Sequence, residues 1–249
     1  MSGVSEDQAV RSLSALRVTA DGVAHESVEE VAVEAPFAIQ MAGETLAITM
    51  RTPGHDAELT AGFLLAEGHD PQGVAAARVV RRGTLSSAAC GVCGRDDIED
   101  LVARLRPVEA DTRFARSVMS SVMQRLPEHQ PVFSRTGGLH AAALVSAEGH
   151  VLVAREDVGR HNAVDKVLGR AALDGHLPLS GHFLAVSGRT SFEIVQKAVA
   201  AGLPAIVAIS APSSLAIDLA ERFGLLLVGF ARGGGFTAYA GRFRLEGAG

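Results

Sequence analysis

Apolar and polar positions alternate in short runs through the first part of the chain. Residues 13–52 contain several such runs, separated by turn signals such as Asp21-Gly22, and this pattern predicts strands. Residues 55–69 instead repeat their apolar positions with the spacing of a helix and end near Gly68. The first part is therefore predicted to form a small α+β domain.

The second part alternates apolar runs of strand length with amphipathic helical stretches. The strand-like runs are residues 149–157, 182–188, 204–210 and 225–230, and helical stretches follow at 161–173, 190–202 and 213–224. Such alternation is typical of βαβ units around a mostly parallel sheet. A further helical stretch at 112–126 ends at Pro127, so we predict an N-terminal α+β domain at 1–126 and an α/β domain at 127–249.

Composition narrows the class of protein. Aromatic residues make up only 4% of the 249 residues although hydrophobic residues make up 47%, so the core is expected to be aliphatic. A net charge of −5 and a pI near 6.0 argue against nonspecific nucleic-acid binding. No apolar run has the length of a signal peptide or a membrane span. We therefore expect a soluble, cytoplasmic protein whose thiols stay reduced.

Polar residues collect where the predicted strands of the second part end. Ligands of such sheets bind outside the carboxyl ends of the strands. Arginines, helix N-termini and glycine backbones at that position suit a phosphate group, which predicts a nucleotide-like ligand. The candidates are Asp157, Arg160, His161 and Asn162 after one strand, Ser187, Gly188 and Arg189 after the next, and Arg232, Gly233, Gly234 and Gly235 after the last. The fingerprints of NAD enzymes and P-loop NTPases are absent from the sequence.

Several side chains near these turns have both a structural and a functional interpretation. His140 and His161 could each serve as acid, base or ligand, or could make a structural hydrogen bond. Thr190 and Glu193 have the spacing of a capping box. Ser213 or Ser214 is predicted to cap the helix that follows.

The chain's two cysteines, Cys90 and Cys93, lie between a strand-like run at 77–85 and a helical stretch at 96–105. Such a pair can hold a metal, cycle as a redox disulfide or carry sulfur. A zinc site needs four ligands, and no second CxxC is present. A deaminase-type zinc site is also disfavoured, because Ala142 stands where the glutamate of its His-x-Glu motif belongs. Glycine and serine around the thiols are more typical of a segment that hands an atom to a partner than of a rigid redox site.

Six segments in matching order resemble the FdhD family, the formate dehydrogenase accessory sulfurtransferases. They are TMRTPGHDAELTAGFLLAEG, CGVCG, FSRTGGLHAAAL, EDVGRHNAVDKVLG, SGRTSFEIVQKA and SAPSSLAIDLAERFGLLLVGFARGGGF, and the resemblance runs from about residue 36 to residue 241. It implies a homodimeric protein that accepts sulfur from a cysteine desulfurase as a persulfide. The sulfur then passes to the molybdenum or tungsten bis-guanine-dinucleotide cofactor before that cofactor enters formate dehydrogenase.

The resemblance also implies a fold and a set of site residues. The C-terminal domain is expected to be a three-layer α/β domain similar to cytidine deaminase, without a resident metal. Cys90 is expected to carry the persulfide and Cys93 to assist its release. A guanine-dinucleotide or GDP-like ligand is expected at Phe230, Ala231, Arg232, Gly233, Gly234, Gly235 and Phe236. Two alternatives stay open: a cofactor-binding chaperone without sulfur chemistry, and a deaminase or hydrolase relative that acts on nucleotides.

Overall fold

A computed structural model describes residues 8–72 and 102–247, and within them the first part of the chain forms two hairpins and a helix. The strands are β1 (Val10–Val18), β2 (Ala24–Ala32), β3 (Ala35–Met41) and β4 (Glu44–Arg51), and helix α1 covers Asp56–Ala66. β1 pairs with β2 and β3 with β4, both antiparallel. These elements confirm the predicted strands and helix. The strand-like run at 77–85 and most of the helical stretch at 96–105 lie outside the described residues.

The second part forms a six-stranded sheet with helices between its strands. The helices are α2 (Arg116–Arg125), α3 (Pro131–Thr136), α4 (Arg160–Leu173), α5 (Phe192–Ala200) and α6 (Ser214–Phe223). The strands are β5 (His140–Ser146), β6 (Val151–Asp157), β7 (His182–Val186), β8 (Ala205–Ala208), β9 (Leu226–Arg232) and β10 (Gly235–Ala240). Their order across the sheet is β10-β9-β8-β7-β5-β6.

The prediction of a mostly parallel sheet is wrong, because the sheet is mixed. Only the pairs β7–β8 and β8–β9 are parallel. β5 runs antiparallel to both β6 and β7, and β10 runs antiparallel to β9. Neither β5 nor β10 was predicted from the sequence, and the turns that join them to β6 and β9 are too short for a parallel crossover. The protein is thus a mixed α/β protein with one mixed sheet and two small antiparallel ones.

Helices cover both faces of the six-stranded sheet. Alternate strand residues point to opposite faces, so Leu184 packs in the cluster with α4, α5 and α6, whereas Phe183 packs with Met119 and Val122 of α2. Helix α2 therefore packs on the six-stranded sheet of the second part, although it precedes Pro127. The domain boundary at 126/127 stays a prediction, and the contacts of α2 cross it.

Helix α1 of the first part packs tightly on helix α4 of the second. A Cβ atom on Gly169 would overlap the carbonyl oxygen of Glu58, and one on Gly62 would overlap that of Asp165. Glycine at both positions lets the two backbones approach closely, as small residues do at helix crossings. This crossing fixes α4, whose first turn carries several of the predicted site residues.

Candidate functional site

The ends of six strands meet at one edge of the sheet. β6, β7, β8 and β9 end there, and β5 and β10 begin there because they run in the opposite direction. In register, His140 at the start of β5 lies opposite Asp157 at the end of β6. We call the surface above these ends the strand-end face. Its predicted members are His140, Arg160, His161, the turn Ser187–Arg189 and the hairpin end 230–235.

His140, Arg160 and Gly188 lie against one another on this face. A Cβ on Gly188 would lie 3.4 Å from His140 Nδ1 and 3.9 Å from Arg160 Cδ, so glycine leaves the room that both side chains use. Burial lowers the pKa of His140, and the positive charges of Arg160 and Arg189 lower it further, whereas the negative charge of Asp157 opposes this shift. His140 is therefore a neutral imidazole at neutral pH. Beside it, Ser187 Oγ accepts a hydrogen bond of 2.8 Å from the Ala141 amide.

Arg160 opens helix α4 and offers a free donor. Its Nε atom is buried and has no hydrogen-bond partner among the described residues. The helix starts after Gly159 without a side-chain cap, so its first amide groups and its dipole are available to an anion. A buried guanidinium nitrogen without a partner is costly, and an anionic ligand would satisfy it. Arg189 is exposed on the neighbouring turn.

His161 is the second residue of α4 and contacts the first turn of α5. Its Nε2 atom lies 2.9 Å from Glu193 Oε2 and 2.9 Å from Ser191 Oγ. The capping-box prediction is wrong in its first member, because Ser191 rather than Thr190 precedes the helix, and neither side chain caps it. Thr190 instead pairs with Pro212 in an isolated bridge. The Thr190/Glu193 spacing thus marks a residue that contacts His161 rather than a helix cap.

The cap of helix α6 is as predicted. Ser213 precedes the helix, and its Oγ accepts a hydrogen bond of 3.3 Å from the Ala216 amide.

Asp157 and Asn162 lie below the face and, together with Lys166, form what we call the interior network. Asp157 is fully buried and lies 2.6 Å from Lys166 Nζ, and it accepts hydrogen bonds from Asn162 Nδ2 (3.0 Å) and from the backbone of Thr52 (3.2 Å) and Gly159 (2.8 Å). Asn162 also donates to the Met50 carbonyl, and Lys166 donates to that of Thr52. These side chains tie β4 to the end of β6. Within the described part of the chain, each of the three side chains is thus engaged by neighbouring groups of the protein.

The hairpin between β9 and β10 projects from the same face. Gly233 and Gly234 both have positive φ values, 60° and 83°, as a two-residue type I′ turn requires. Phe230 also has a positive φ of 52° and is exposed, and the Arg232 guanidinium lies 5.7 Å from its ring centroid. Two other predicted residues are not exposed on the strand-end face in the way Phe230 is. Ala231 is buried, and Phe236 packs on the α2 side of the sheet.

The two ends of the face are separated by three strand spacings, or about 14 Å from β9 to β5. A ligand that touches both ends must therefore have at least the length of a nucleotide. Within residues 8–72 and 102–247, no cluster of three or more His, Cys, Asp or Glu side chains could hold a metal, and no helix is long and apolar enough to span a membrane. The predicted carrier Cys90 and its partner Cys93 lie outside the described residues.

Comparison with known proteins gives one consistent result. The FdhD/NarQ family model matches residues 69–246. The sulfur carrier protein FdhD of Streptomyces avermitilis is 42% identical, covering 90% of this chain and 92% of its own. That of Anaeromyxobacter dehalogenans is 46% identical, with 87% and 88% covered. A crystal structure described as a formate dehydrogenase accessory protein from Desulfotalea psychrophila has a TM-score of 0.78 and 28% identity, covering 95% of this chain and 99% of its own.

Proposed function

The chain belongs to the FdhD/NarQ family, and from this premise we propose that it is a sulfurtransferase. It accepts sulfur from a cysteine desulfurase as a persulfide on Cys90. It then delivers that sulfur to the molybdenum bis-guanine-dinucleotide cofactor, which formate dehydrogenase requires. The observation that carries the proposal is the identity of 42–46% with relatives named sulfur carrier proteins, in a chain that has one CxxC pair.

The chemistry of two neighbouring thiols fits this role. The outer sulfur of a persulfide ionises more readily than a thiol and is nucleophilic at neutral pH. Attack of the Cys93 thiolate on the inner sulfur of a Cys90 persulfide forms the Cys90–Cys93 disulfide and releases the outer sulfur as hydrosulfide. The sulfur leaves at the oxidation level of sulfide, and an external thiol must reduce the disulfide before the next cycle.

Chain length permits the cysteines to reach the strand-end face. Gln72, the last described residue before them, donates a hydrogen bond to the Ala172 carbonyl near the end of α4. Helix α4 is 14 residues long and so spans about 21 Å to the face. The roughly 18 residues from Gln72 to Cys90 can extend about 60 Å.

The strand-end face supplies the binding site for the guanine-dinucleotide substrate. Arg189 is exposed and can contact phosphate oxygens, and the buried Arg160 Nε, which has no partner in the described part of the chain, supports an anion at that point. The exposed ring of Phe230 at the other end offers a stacking surface for a base. A GDP-like molecule is therefore the minimal ligand. The helices on both sheet faces suit the cytidine-deaminase-like arrangement that we also propose. We further propose a cytoplasmic location.

The cysteine assignment is tested by mass spectrometry after incubation with a cysteine desulfurase and cysteine. Wild type should gain an adduct of about 32 Da, the mass of one sulfur atom, on Cys90. Cys90→Ala should lose both the adduct and the activation of formate dehydrogenase, whereas Cys93→Ala should keep the adduct. An adduct on Cys93 in active Cys90→Ala protein would contradict the assignment. Cofactor binding with full activation and no adduct would support the chaperone alternative.

A homodimer completes the proposal, because a cofactor with two guanine dinucleotides needs a broader surface than one strand-end face. Light scattering at micromolar concentration should give about twice the 25.8 kDa mass of one chain. A particle of 25.8 kDa would contradict it.

A further inference from the structure

Among the residues that the structure describes, the polar contacts of the His161 side chain are made through Nε2. Its Nε2 atom faces Glu193 Oε2 and Ser191 Oγ, both at 2.9 Å. The His161 and Glu193 side chains are 17% and 11% exposed, so water competes little for this contact. With Nε2 engaged, Nδ1 is the ring nitrogen that remains for another partner.

We propose that Glu193 is a positioning residue that binds the Nε2 side of His161, so that His161 takes up a proton at Nδ1 when an anionic ligand occupies the strand-end face. This inference rests on the proposed nucleotide site and adds a proton-linked third cation to Arg160 and Arg189. The proton comes from solvent, and no covalent bond of the ligand changes. A carboxylate behind a histidine plays the same part in other sites, where it orients the ring and stabilises the imidazolium.

The charges around His161 explain why uptake is coupled to binding. Arg160 on the same helix and Arg189 on the neighbouring turn are cations, and His140 lies across from them. Behind the ring, Asp165 is paired with Lys197 at 2.7 Å, and Asp157 with Lys166 at 2.6 Å. These two pairs are internally neutral, which leaves Glu193 as the carboxylate that faces the ring. A phosphate on the face would bring negative charge beside the ring and accept a charge-assisted hydrogen bond from it.

Isothermal titration calorimetry with GDP measures the proton directly. At about pH 7.5, where an ordinary histidine is mostly neutral, the binding enthalpy is compared in buffers of different ionisation enthalpy. Wild type should take up a measurable fraction of a proton, and His161→Gln should take up none. Glu193→Gln keeps the size of the side chain but removes its charge, and should reduce the uptake and weaken binding about 5- to 10-fold.

As matched controls, one histidine and one glutamate are replaced outside the strand-end face. His176→Gln and Glu221→Gln change exposed residues away from the face and should leave both uptake and affinity as in wild type. Uptake of the same size in His161→Gln would overturn the proposal, because His140 or the ligand would then be the acceptor. Unchanged uptake in Glu193→Gln would remove the role of Glu193.

A second measurement needs no ligand. In the proton NMR spectrum of the free protein, the Nε2 proton of His161 should give an exchange-protected downfield signal that both His161→Gln and Glu193→Ala lack. Absence of this signal in wild type would overturn the positioning role. If the signal is present and GDP fails to bind folded protein, the nucleotide half of the proposed function fails and proton uptake by His161 fails with it. The Glu193 contact then stands as structural only.

Discussion

The interior network and the strand-end face come from the same stretch of sequence but have opposite properties. In EDVGRHNAVDK, Asp157, Asn162 and Lys166 turn inward, whereas Arg160 and His161 turn to the face. Asn162 and Lys166 are four residues apart on α4 and so share one side of the helix. Asp157 has a lysine and several hydrogen-bond donors as partners, while Arg160 Nε has none among the described residues.

This difference separates groups that hold the fold from groups that await a ligand. A buried charge is tolerated while its partners are present, and removal of one partner destabilises the protein. A cation with an unused donor at a helix N-terminus does not stabilise the fold, because its favourable partner, an anion, is not yet present. Substitutions in the two regions should therefore affect different measurements.

Loss of a partner in the interior network should have the largest effect. Lys166→Met keeps the volume of the buried side chain but leaves Asp157 as an uncompensated buried charge. We expect a loss of about 3–5 kcal/mol in the free energy of unfolding, measured with urea. Asp157→Asn in the same protein should recover part of it. Arg232→Met, which removes an exposed cation, is the control and should change stability by less than about 0.5 kcal/mol. Equal losses in Lys166→Met and Arg232→Met would erase the distinction.

Glu58, another buried carboxylate that is paired with a cation, tests by pH whether such paired charges stabilise the fold. Burial alone would raise the pKa of Glu58. Hydrogen bonds from Arg155 (2.6 and 2.9 Å) and from His55 outweigh this effect and lower the pKa from an ordinary 4.5 to about 2. Because the pKa is lower in the folded protein, the stabilisation is present above about pH 4.5 and is lost as the pH falls toward 2. It amounts to at most about 3 kcal/mol.

The measurement is the urea stability of Glu58→Gln as a function of pH. The variant should be less stable than wild type at pH 6. The difference in stability should shrink as the pH falls to about one to two units below the ordinary carboxyl pKa, where Glu58 of wild type becomes protonated. Glu30→Gln removes the carboxylate of an exposed ion pair with Arg135, and it should show little of this dependence. A constant difference between Glu58→Gln and wild type at all pH values would contradict the pKa assignment.

Loss of a cation from the strand-end face should leave the fold intact and weaken binding. Arg189→Ala should cost about 1.5–3 kcal/mol in GDP affinity if the guanidinium makes a charge-assisted phosphate bond. Its free energy of unfolding should stay within about 0.5 kcal/mol of wild type. Calorimetry with GDP and with ADP measures the affinity, and urea denaturation measures the free energy of unfolding. Equal affinity for the two nucleotides, or no binding of either, would contradict a guanine-nucleotide site.

Local pattern was sufficient for most of the elements. The helical spacing of apolar residues predicted α2, α4, α5 and α6, because one side of each packs on the sheet and must be apolar. Helix α1 was predicted as well, although its buried residues are not confined to one side. The resemblance to a family was also available from motifs alone, and the family match confirms it. β5 was not predicted, since its HAAALVS sequence is rich in alanine, which is depleted in strands.

Only the tertiary structure decided which polar residues are available to a ligand. The sequence placed Asp157, Asn162 and Arg160 together as candidates, and residues adjacent in sequence are indeed close in space. Their side-chain directions, however, depend on the phase of α4 and on what packs below it, namely the Thr52 backbone from the distant first part of the chain. A contact across more than a hundred residues leaves no local signal. Composition and periodicity therefore determine the elements and the polar edge, while long-range packing determines which of its groups remain unpaired.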